Sequence, residues 1–216
     1  TSSGMYPRDS QNPRKGNVRP ISGPLQKTGY AIPSDLCWDG NGYTALAFDK
    51  NIANQSSQAF ISYRLSQSGQ ILSSPLLIGT DNELKTSISI ASRFNGGAQF
   101  IWESVKQFTN PDNPNYFMFF GNKIRTTAIR PDGMTTSVLT IPQSAPRQSE
   151  PQIIANGNGY LVIYRSEVGD NSQILAQRLD ANGSVLDQDP IVISDYPELR
   201  NPRVAWNGSV YLVVWE

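Results

Sequence analysis

Carboxylates are the side chains of this chain that could do acid–base chemistry, because the sequence contains no histidine. The missing histidine excludes Ser/His/Asp and Cys/His nucleophilic sites, histidine general bases, and most zinc and copper centres. The one cysteine, Cys37, stands between Leu36 and Trp38. That apolar setting favours a small buried side chain over a catalytic thiol.

Glycoside hydrolysis is the carboxylate chemistry to consider, since it needs two acidic side chains roughly 5 to 10 Å apart. The sequence does not say which acids meet in space. Glu103 and Glu216 occupy one repeat position, directly after Trp102 and Trp215. A position shared between copies is more typical of a scaffold, or of a repeated weak site, than of one active centre. The candidate acids are Asp35, Asp39, Asp49, Glu103, Glu150, Glu167 and Glu216.

No sequence motif for a metal or a cofactor is found. Segment 110–115 contains a single acid and two prolines, unlike a calcium-binding loop, and the chain has no glycine-rich phosphate motif. We therefore assign no catalytic residue and expect neither a metal nor a cofactor.

The elements that would position the acids come from an internal repeat. The sequence YLVIY at 160–164 returns as YLVVW at 211–215, an earlier copy begins at Tyr43, and a degenerate copy begins at Ala98. The four copies begin 55, 62 and 51 residues apart. This spacing is close to that of one four-stranded propeller blade and too long for a helical or leucine-rich repeat.

Each repeat has the pattern of short strands. Apolar and β-branched runs alternate with turns such as Ser68-Gly69 and Asn182-Gly183, in which glycine supplies the positive φ of a tight reversal. No stretch shows a helical period of 3.6, so helix content should be near zero. The sequence predicts an all-β fold, a β-propeller segment of about three and a half four-stranded blades from a larger ring.

The repeat also predicts the domain organisation. Residues 1–28 are polar and proline-rich and are expected to form an extended N-terminal arm or linker, and residues 29–216 form the propeller segment. Its units are approximately 33–80, 84–142, 150–194 and a half unit at 202–216. We expect the remainder of the propeller to come from the same or another polypeptide, because natural sheets rarely leave an edge unpaired.

The second unit differs from the others by an insertion of roughly ten residues around 105–122. Long loops on a repetitive scaffold commonly carry binding functions, and aromatic residues near a loop tip can contact a sugar ring or a partner protein. The alternative is that Phe117, Phe119 and Phe120 extend a hairpin and pack on the neighbouring blade. The predicted ligand-binding residues are Phe108, Asn110, Asp112, Asn115 and Tyr116.

Charge and hydropathy exclude several kinds of partner. The formal net charge is zero and no basic run exceeds Arg14-Lys15, so nucleic acid is not an expected ligand. No apolar run approaches the ~20 residues that span a bilayer, so we expect no membrane insertion. The tryptophans stand at repeat positions within strands, which favours packing between blades over a sugar-binding platform. They are Trp38, Trp102, Trp206 and Trp215.

Two segments carry a family resemblance. PRVAWNGSVYLVVWE at 202–216 and QILAQRLDANGSVL at 173–186 resemble the tandem repeats of large bacterial secreted or surface proteins, which are similar to β-propeller blades. The resemblance implies an extracellular propeller used for adhesion or recognition, sometimes attached to catalytic domains. It carries no defined catalytic residues.

Two functions follow from these observations. The first is a non-catalytic extracellular or cell-surface module that recognises glycan or protein, or assists assembly, through propeller loops. The alternative is part of a carbohydrate-active enzyme with a carboxylate-based site at the propeller mouth. A catalytic propeller should gather acids from several blades around one funnel, whereas a binding module need not.

Overall fold

The computed structural model describes residues 31–49, 59–78, 83–110, 112–142 and 147–216; the predicted arm at 1–28 lies outside these ranges. Every helix or strand in the described residues is a β-strand, as the sequence predicted. No helix that could cross a lipid bilayer is found in this described part. The strands form three sheets of four strands and one sheet of two.

The strands follow the chain in four groups. The first sheet contains β1 (Ala31–Trp38), β2 (Tyr43–Asp49), β3 (Ala59–Leu65) and β4 (Leu76–Ile78). The second contains β5 (Leu84–Ser92), β6 (Ala98–Asn110), β7 (Asn113–Ile129) and β8 (Leu139–Thr140). The third contains β9 (Arg147–Ala155), β10 (Gly159–Val168), β11 (Asn171–Asp180) and β12 (Ile191–Ser194). The fourth contains β13 (Arg203–Trp206) and β14 (Tyr211–Val214).

Each sheet is an antiparallel meander, and its first turn follows from the sequence. In three sheets the turn begins with Asp39, Asn156 or Asn207, whose Oδ1 accepts two backbone N–H groups at 2.8 to 3.0 Å. Such Asx turns replace a backbone turn with a side-chain acceptor. The glycine that follows each has a φ between 90° and 101°, a conformation that glycine adopts without steric cost.

The sheets stack face to face in chain order. Each of the three interfaces has an apolar cluster, exemplified by the pairs Leu46 and Phe100, Ile124 and Val162, and Ile163 and Val213. The first strands β1, β5, β9 and β13 lie beside one another in that order. This is the arrangement of the inner strands of propeller blades, and the architecture is a propeller-like segment, as predicted.

At every interface a backbone N–H donates a hydrogen bond in the same direction. In each case a backbone N–H in or just before the later sheet donates to a side-chain oxygen of the earlier sheet. The bonds are Ile90 N to Asp35 Oδ2 at 3.0 Å, Ile153 N to Ser89 Oγ at 3.4 Å, and Leu199 N to Ser172 Oγ at 2.7 Å.

The tryptophans do not share one role, although the sequence predicted packing between blades for all of them. Trp102 is fully buried in the interface between the first two sheets. Trp38 and Trp215 are 43% and 40% exposed. Trp38 packs edge-on against Tyr43 of its own hairpin, with ring centroids 5.0 Å apart. The prediction is wrong for Trp38 and Trp215 because equivalent sequence positions face different surroundings in successive sheets.

The insertion in the second unit is an extended hairpin. Strands β6 and β7 contain 13 and 17 residues, and they stay paired as far as Asn110 and Asn113. Asn110 is seven positions after Glu103, so at about 3.3 Å per residue the tip lies roughly 20 Å beyond Glu103. This agrees with the hairpin alternative; the packing of Phe117, Phe119 and Phe120 lies outside the described side chains.

Candidate functional site

Three sheets carry a non-glycine residue with positive φ at the same repeat position. Ser87, Glu150 and Asn201 have φ of 38°, 54° and 53°. Each stands five residues before the end of the first strand of its sheet. In β5 and β9 the pairing register shifts beside this residue, so it belongs to a β-bulge. Such strained conformations cost about 1–3 kcal/mol each and occur often at functional sites.

Asn201 joins two carboxylates from neighbouring sheets. Its backbone N–H donates to Glu150 Oε2 at 2.5 Å, and its Nδ2 donates to Glu216 Oε2 at 2.9 Å. Two backbone hydrogen bonds of 2.9 Å between Arg200 and Glu216 hold the segment before β13 against the residue that follows β14. The third and fourth sheets therefore each supply one acid to the same point.

Glu103 supplies a third carboxyl, from the second sheet. It is 7% exposed, and Asn122 Nδ2 donates a hydrogen bond to its Oε1. Burial raises the pKa of Glu103, while the Thr86 hydroxyl, the Asn122 amide, the charge of Arg147 and the backbone N–H of Glu150 act in the opposite direction. The side chain therefore keeps its proton to higher pH than an exposed glutamate. We name Glu103, Arg147, Glu150, Asn201 and Glu216 the polar cluster.

Glu167 links two arginines at the edge of the polar cluster. Its carboxylate contacts Arg147 Nε at 3.1 Å and Arg165 Nη1 at 2.5 Å. The side chain of Glu167 is 15% exposed, whereas that of Arg147 is 60% exposed. Glu167 thus orients the arginines, and Arg147 presents positive charge at the surface of the polar cluster.

The other candidate acids serve the scaffold or lie outside the description. Asp39 closes the first turn of its sheet and pairs with Arg64 Nη2 at 3.1 Å. Asp35 accepts the backbone N–H of Ile90, and burial raises its pKa. The side chain of Asp49 lies outside the described residues. Of the seven candidate acids, the structure brings together Glu103, Glu150, Glu167 and Glu216.

Asn201 and the pairing of Glu150 with Glu216 were missed by sequence reasoning. The strained position carries serine, glutamate or asparagine in different sheets, so no glycine marks it. The available signal was the shared distance of Ser87, Glu150 and Asn201 from their strand ends.

The predicted ligand-binding residues lie on the extended hairpin, which is formed by the part of β6 after Glu103 and the paired part of β7. Phe108 is 53% exposed, and Asp112 is exposed in the turn. Asn110 ends β6, and Asn115 and Tyr116 belong to β7, but the side chains of these three lie outside the described ones. The hairpin and the polar cluster thus belong to the same end of the sheets.

No group of three metal-ligating side chains is found in the described ranges.

The comparisons with known proteins concern the fold. No family model matches the chain, and no curated protein matches it in sequence. One similar solved structure is the GH32 β-fructofuranosidase BmSUC1 of Bombyx mori, with a TM-score of 0.51 and 11% identity. The match covers 86% of this chain and 41% of that enzyme, so the chain spans less than half of its length. At this identity the likeness shows a shared propeller-like fold.

Proposed function

We propose that this chain is a carbohydrate-binding propeller module whose ligand contacts the polar cluster. The observation that carries the proposal is that Glu103, Glu150 and Glu216 come from three successive sheets and meet around Asn201 and Arg147. Carboxylate and amide groups provide the acceptors and donors that a hydroxyl-rich ligand needs. The similar structure of a β-fructofuranosidase is compatible with a carbohydrate ligand.

The exposed members of the cluster are the expected contacts. Asn201 and Glu216 are exposed, and Glu150 is partly exposed beside them. Sugar hydroxyls would donate to the two carboxylates, while Arg147 would donate to ring or hydroxyl oxygens. Phe108 on the extended hairpin would offer an apolar face to a further sugar ring or to a protein partner.

Glycoside hydrolysis is the second candidate, and the buried carboxyl of Glu103 favours it. A glutamate whose pKa is raised by burial is suited to donate a proton to a leaving oxygen. Glu150, whose backbone N–H faces Glu103, would then be the second carboxylate of the pair that glycosidases use. Without catalysis, the same residues form a binding site.

The proposed setting is extracellular or at a cell surface, where the module would support adhesion, recognition or assembly. We also propose that further propeller blades, in the same or another polypeptide, complete the ring around the polar cluster. The apolar face of β14 supports this, because Leu212 and Val214 are 64% and 52% exposed. Their repeat equivalents Leu161 and Ile163 are covered by the fourth sheet.

Glycan-array binding tests the proposal. Glu150→Gln and Glu216→Gln keep the size of each side chain and an oxygen that can accept from Asn201, so both variants should fold. We expect each to weaken glycan binding about tenfold or more, because hydrogen bonds to charged groups contribute about 1.5–3 kcal/mol. Asp132→Asn, on an exposed turn, is the matched control. Unchanged glycan binding in both glutamate variants would refute the assignment.

Release of reducing ends from a bound glycan separates the two candidates. If the chain cleaves its ligand, Glu103→Gln should abolish cleavage and retain binding. If no cleavage occurs with any bound glycan, the module is non-catalytic. Replacing residues 108–118 with Asn-Gly between the paired residues Gln107 and Phe119 tests the hairpin separately.

A further inference from the structure

A concavity lies at the opposite end of the sheets from the polar cluster, where the first strands end. Its volume is about 370 Å³, within the range of roughly 300–1,000 Å³ that is typical of small-molecule sites. Arg93 and Phe94 of the second sheet, Asn156 and Tyr160 of the third, and Trp206 of the fourth line it. We name this concavity the turn-side cleft.

The turn that carries Arg93 and Phe94 departs from the repeat. The equivalent turns have three or four residues and begin with an Asx residue, whereas this one has five residues, 93–97, and begins with Arg93. Phe94 is 75% exposed. The other sheets close the same reversal without an arginine or a phenylalanine, so the reversal itself does not require either side chain.

Small residues at two strand ends explain why the cleft is open. The first and fourth sheets end their first strands with Trp38 and Trp206, and the second and third end theirs with Ser92 and Ala155. Ser92 and Ala155 both line the cleft. Both of these strand ends at the cleft therefore carry a small side chain where the first and fourth sheets carry an indole ring.

Tyr160 provides an unsatisfied polar group at the cleft. The residue is 2% exposed, and its hydroxyl has no hydrogen-bond partner among the described residues. Burial raises the pKa of Tyr160 to about 12, and the charge of Arg93 acts in the opposite direction, so the hydroxyl is close enough to interact with the guanidinium. Burying a hydroxyl without a partner is unfavourable, and a ligand oxygen would supply the missing bond.

The remaining walls are held in place before any ligand arrives. Trp206 packs on Tyr211 with ring centroids 4.4 Å apart, and the Tyr211 hydroxyl hydrogen bonds to the side chain of Asn156. Arg93 Nη1 donates to Gln99 Oε1 at 3.2 Å, which orients the guanidinium. Arg93 is the one charged residue among the described residues that line the cleft.

We propose that the turn-side cleft binds a ring-shaped carboxylate. Arg93 binds the carboxylate, Phe94 and Trp206 contact the apolar face of the ring, and the Tyr160 hydroxyl bonds a ligand oxygen. Two sources share this chemistry: the uronic acid unit of an acidic glycan and an aromatic carboxylic acid. The site is separate from the polar cluster, so it does not depend on the function proposed there.

Titration of the full chain with trigalacturonate, benzoate and neutral maltotriose tests this proposal, with calorimetry and tryptophan fluorescence as readouts. We expect saturable binding of at least one carboxylate and none of maltotriose. Stronger binding of trigalacturonate identifies the acidic glycan, and stronger binding of benzoate identifies the aromatic acid. Absence of saturable binding for both carboxylates would overturn the proposal.

Variants locate the binding. Arg93→Gln should weaken it about tenfold or more, and Arg93→Lys should weaken it less because the charge is kept. Trp206→Ala should weaken it, and Trp38→Ala, at the equivalent position of the first sheet, should not.

Replacing residues 93–97 with the Asn-Gly-Asn-Gly of 156–159 should abolish binding while the chain still folds. The swap keeps the last glycine, where a Cβ on Gly97 would meet the Ile129 carbonyl oxygen at 2.1 Å. Circular dichroism checks its folding. Undiminished binding in the swap or in Arg93→Gln would contradict the proposal, and Arg93→Gln decides the matter if the swap does not fold.

Discussion

Glu150 and Asn201 occupy the same repeat position in neighbouring sheets, and the backbone N–H of Asn201 donates to Glu150 Oε2 at 2.5 Å. Their φ values are 54° and 53°, so both are in the left-handed region. The hydrogen bond therefore helps to hold both residues in their strained conformations. It joins the bulge of β9 to the segment just before β13.

Removing the Glu150 carboxylate should destabilise the junction between the third and fourth sheets. We expect Glu150→Ala to lower the free energy of unfolding by about 1–3 kcal/mol, because the Asn201 N–H loses its acceptor while the strain at position 150 remains. Urea denaturation measures the change. Glu150→Gln retains an acceptor oxygen and should cost less; equal losses in both variants would show that the hydrogen bond is unimportant.

Ser87 allows the backbone strain to be measured by itself. Ser87→Gly should leave stability unchanged or raise it by up to about 1 kcal/mol, because glycine adopts a positive φ without a Cβ clash. Ser87→Val should lower stability by about 1–3 kcal/mol, since a β-branched residue is a poor fit to that conformation. Both values come from urea denaturation, and a valine variant as stable as the native chain would contradict this account.

Glu103 should make stability depend on pH in the direction opposite to that of an ion-paired carboxylate. Its folded-state pKa is raised above 4.5, so the folded state binds more protons than the unfolded state between the two values. The free energy of unfolding should therefore fall as pH rises above about 4.5 through the folded-state pKa.

Urea midpoints at about pH 5 and about pH 7 check this slope. Glu103→Gln should reduce it. Asp35, whose pKa is also raised by burial, contributes in the same direction and leaves a residual slope in that variant. If Glu103→Gln leaves the change of stability with pH unaltered, that change comes from other groups.

Trp102 and Trp38 should differ in their contribution to stability. Trp102→Ala opens a cavity in the interface between the first two sheets and should cost about 3–5 kcal/mol. Trp102→Phe should cost less, because the indole N–H has no partner among the described residues and phenylalanine removes that group. Trp38→Ala, at a position 43% exposed, should cost about 1–2 kcal/mol by the same urea assay.

Cys37 should react slowly with iodoacetamide in the folded protein. Burial, reinforced by the negative charges of Asp35 and Asp39, raises the pKa of the thiol from 9.0 to about 12. At pH 8 the reactive thiolate should be roughly a thousandfold scarcer than in the unfolded chain. Mass spectrometry with and without urea measures the two rates, and equal rates would mean that the thiol is not shielded.

The repeat made the sheets predictable, because strand alternation and turn chemistry act over a few residues. The glycines and Asx residues of the turns fall where the aligned repeats predict, and the insertion in the second unit is a hairpin. The polar cluster was less accessible to prediction. Glu103 and Glu216 could be aligned with each other, but their meeting with Glu150 depends on how successive sheets stack.

Asn201 shows the same limit most clearly. Its role depends on a left-handed backbone conformation. Asparagine can adopt that conformation, but the presence of an asparagine in the sequence does not predict it. Trp38 and Trp215 show a second limit. Their positions in the repeat did not predict whether another sheet covers them.

The hydrogen bonds between sheets give the stack a polarity. At each interface a backbone N–H in or just before the later sheet donates to a side-chain oxygen of the earlier one, as in the pairs Ile90 with Asp35 and Leu199 with Ser172. Each interface between sheets is therefore heterologous, which means that the two surfaces in contact are different. Repeated interfaces of this kind close into a ring when the rotation from one sheet to the next is a whole fraction of 360°. Otherwise the stack continues as an open spiral. The number of blades is therefore set by the angle between successive sheets rather than by the chemistry of any one interface.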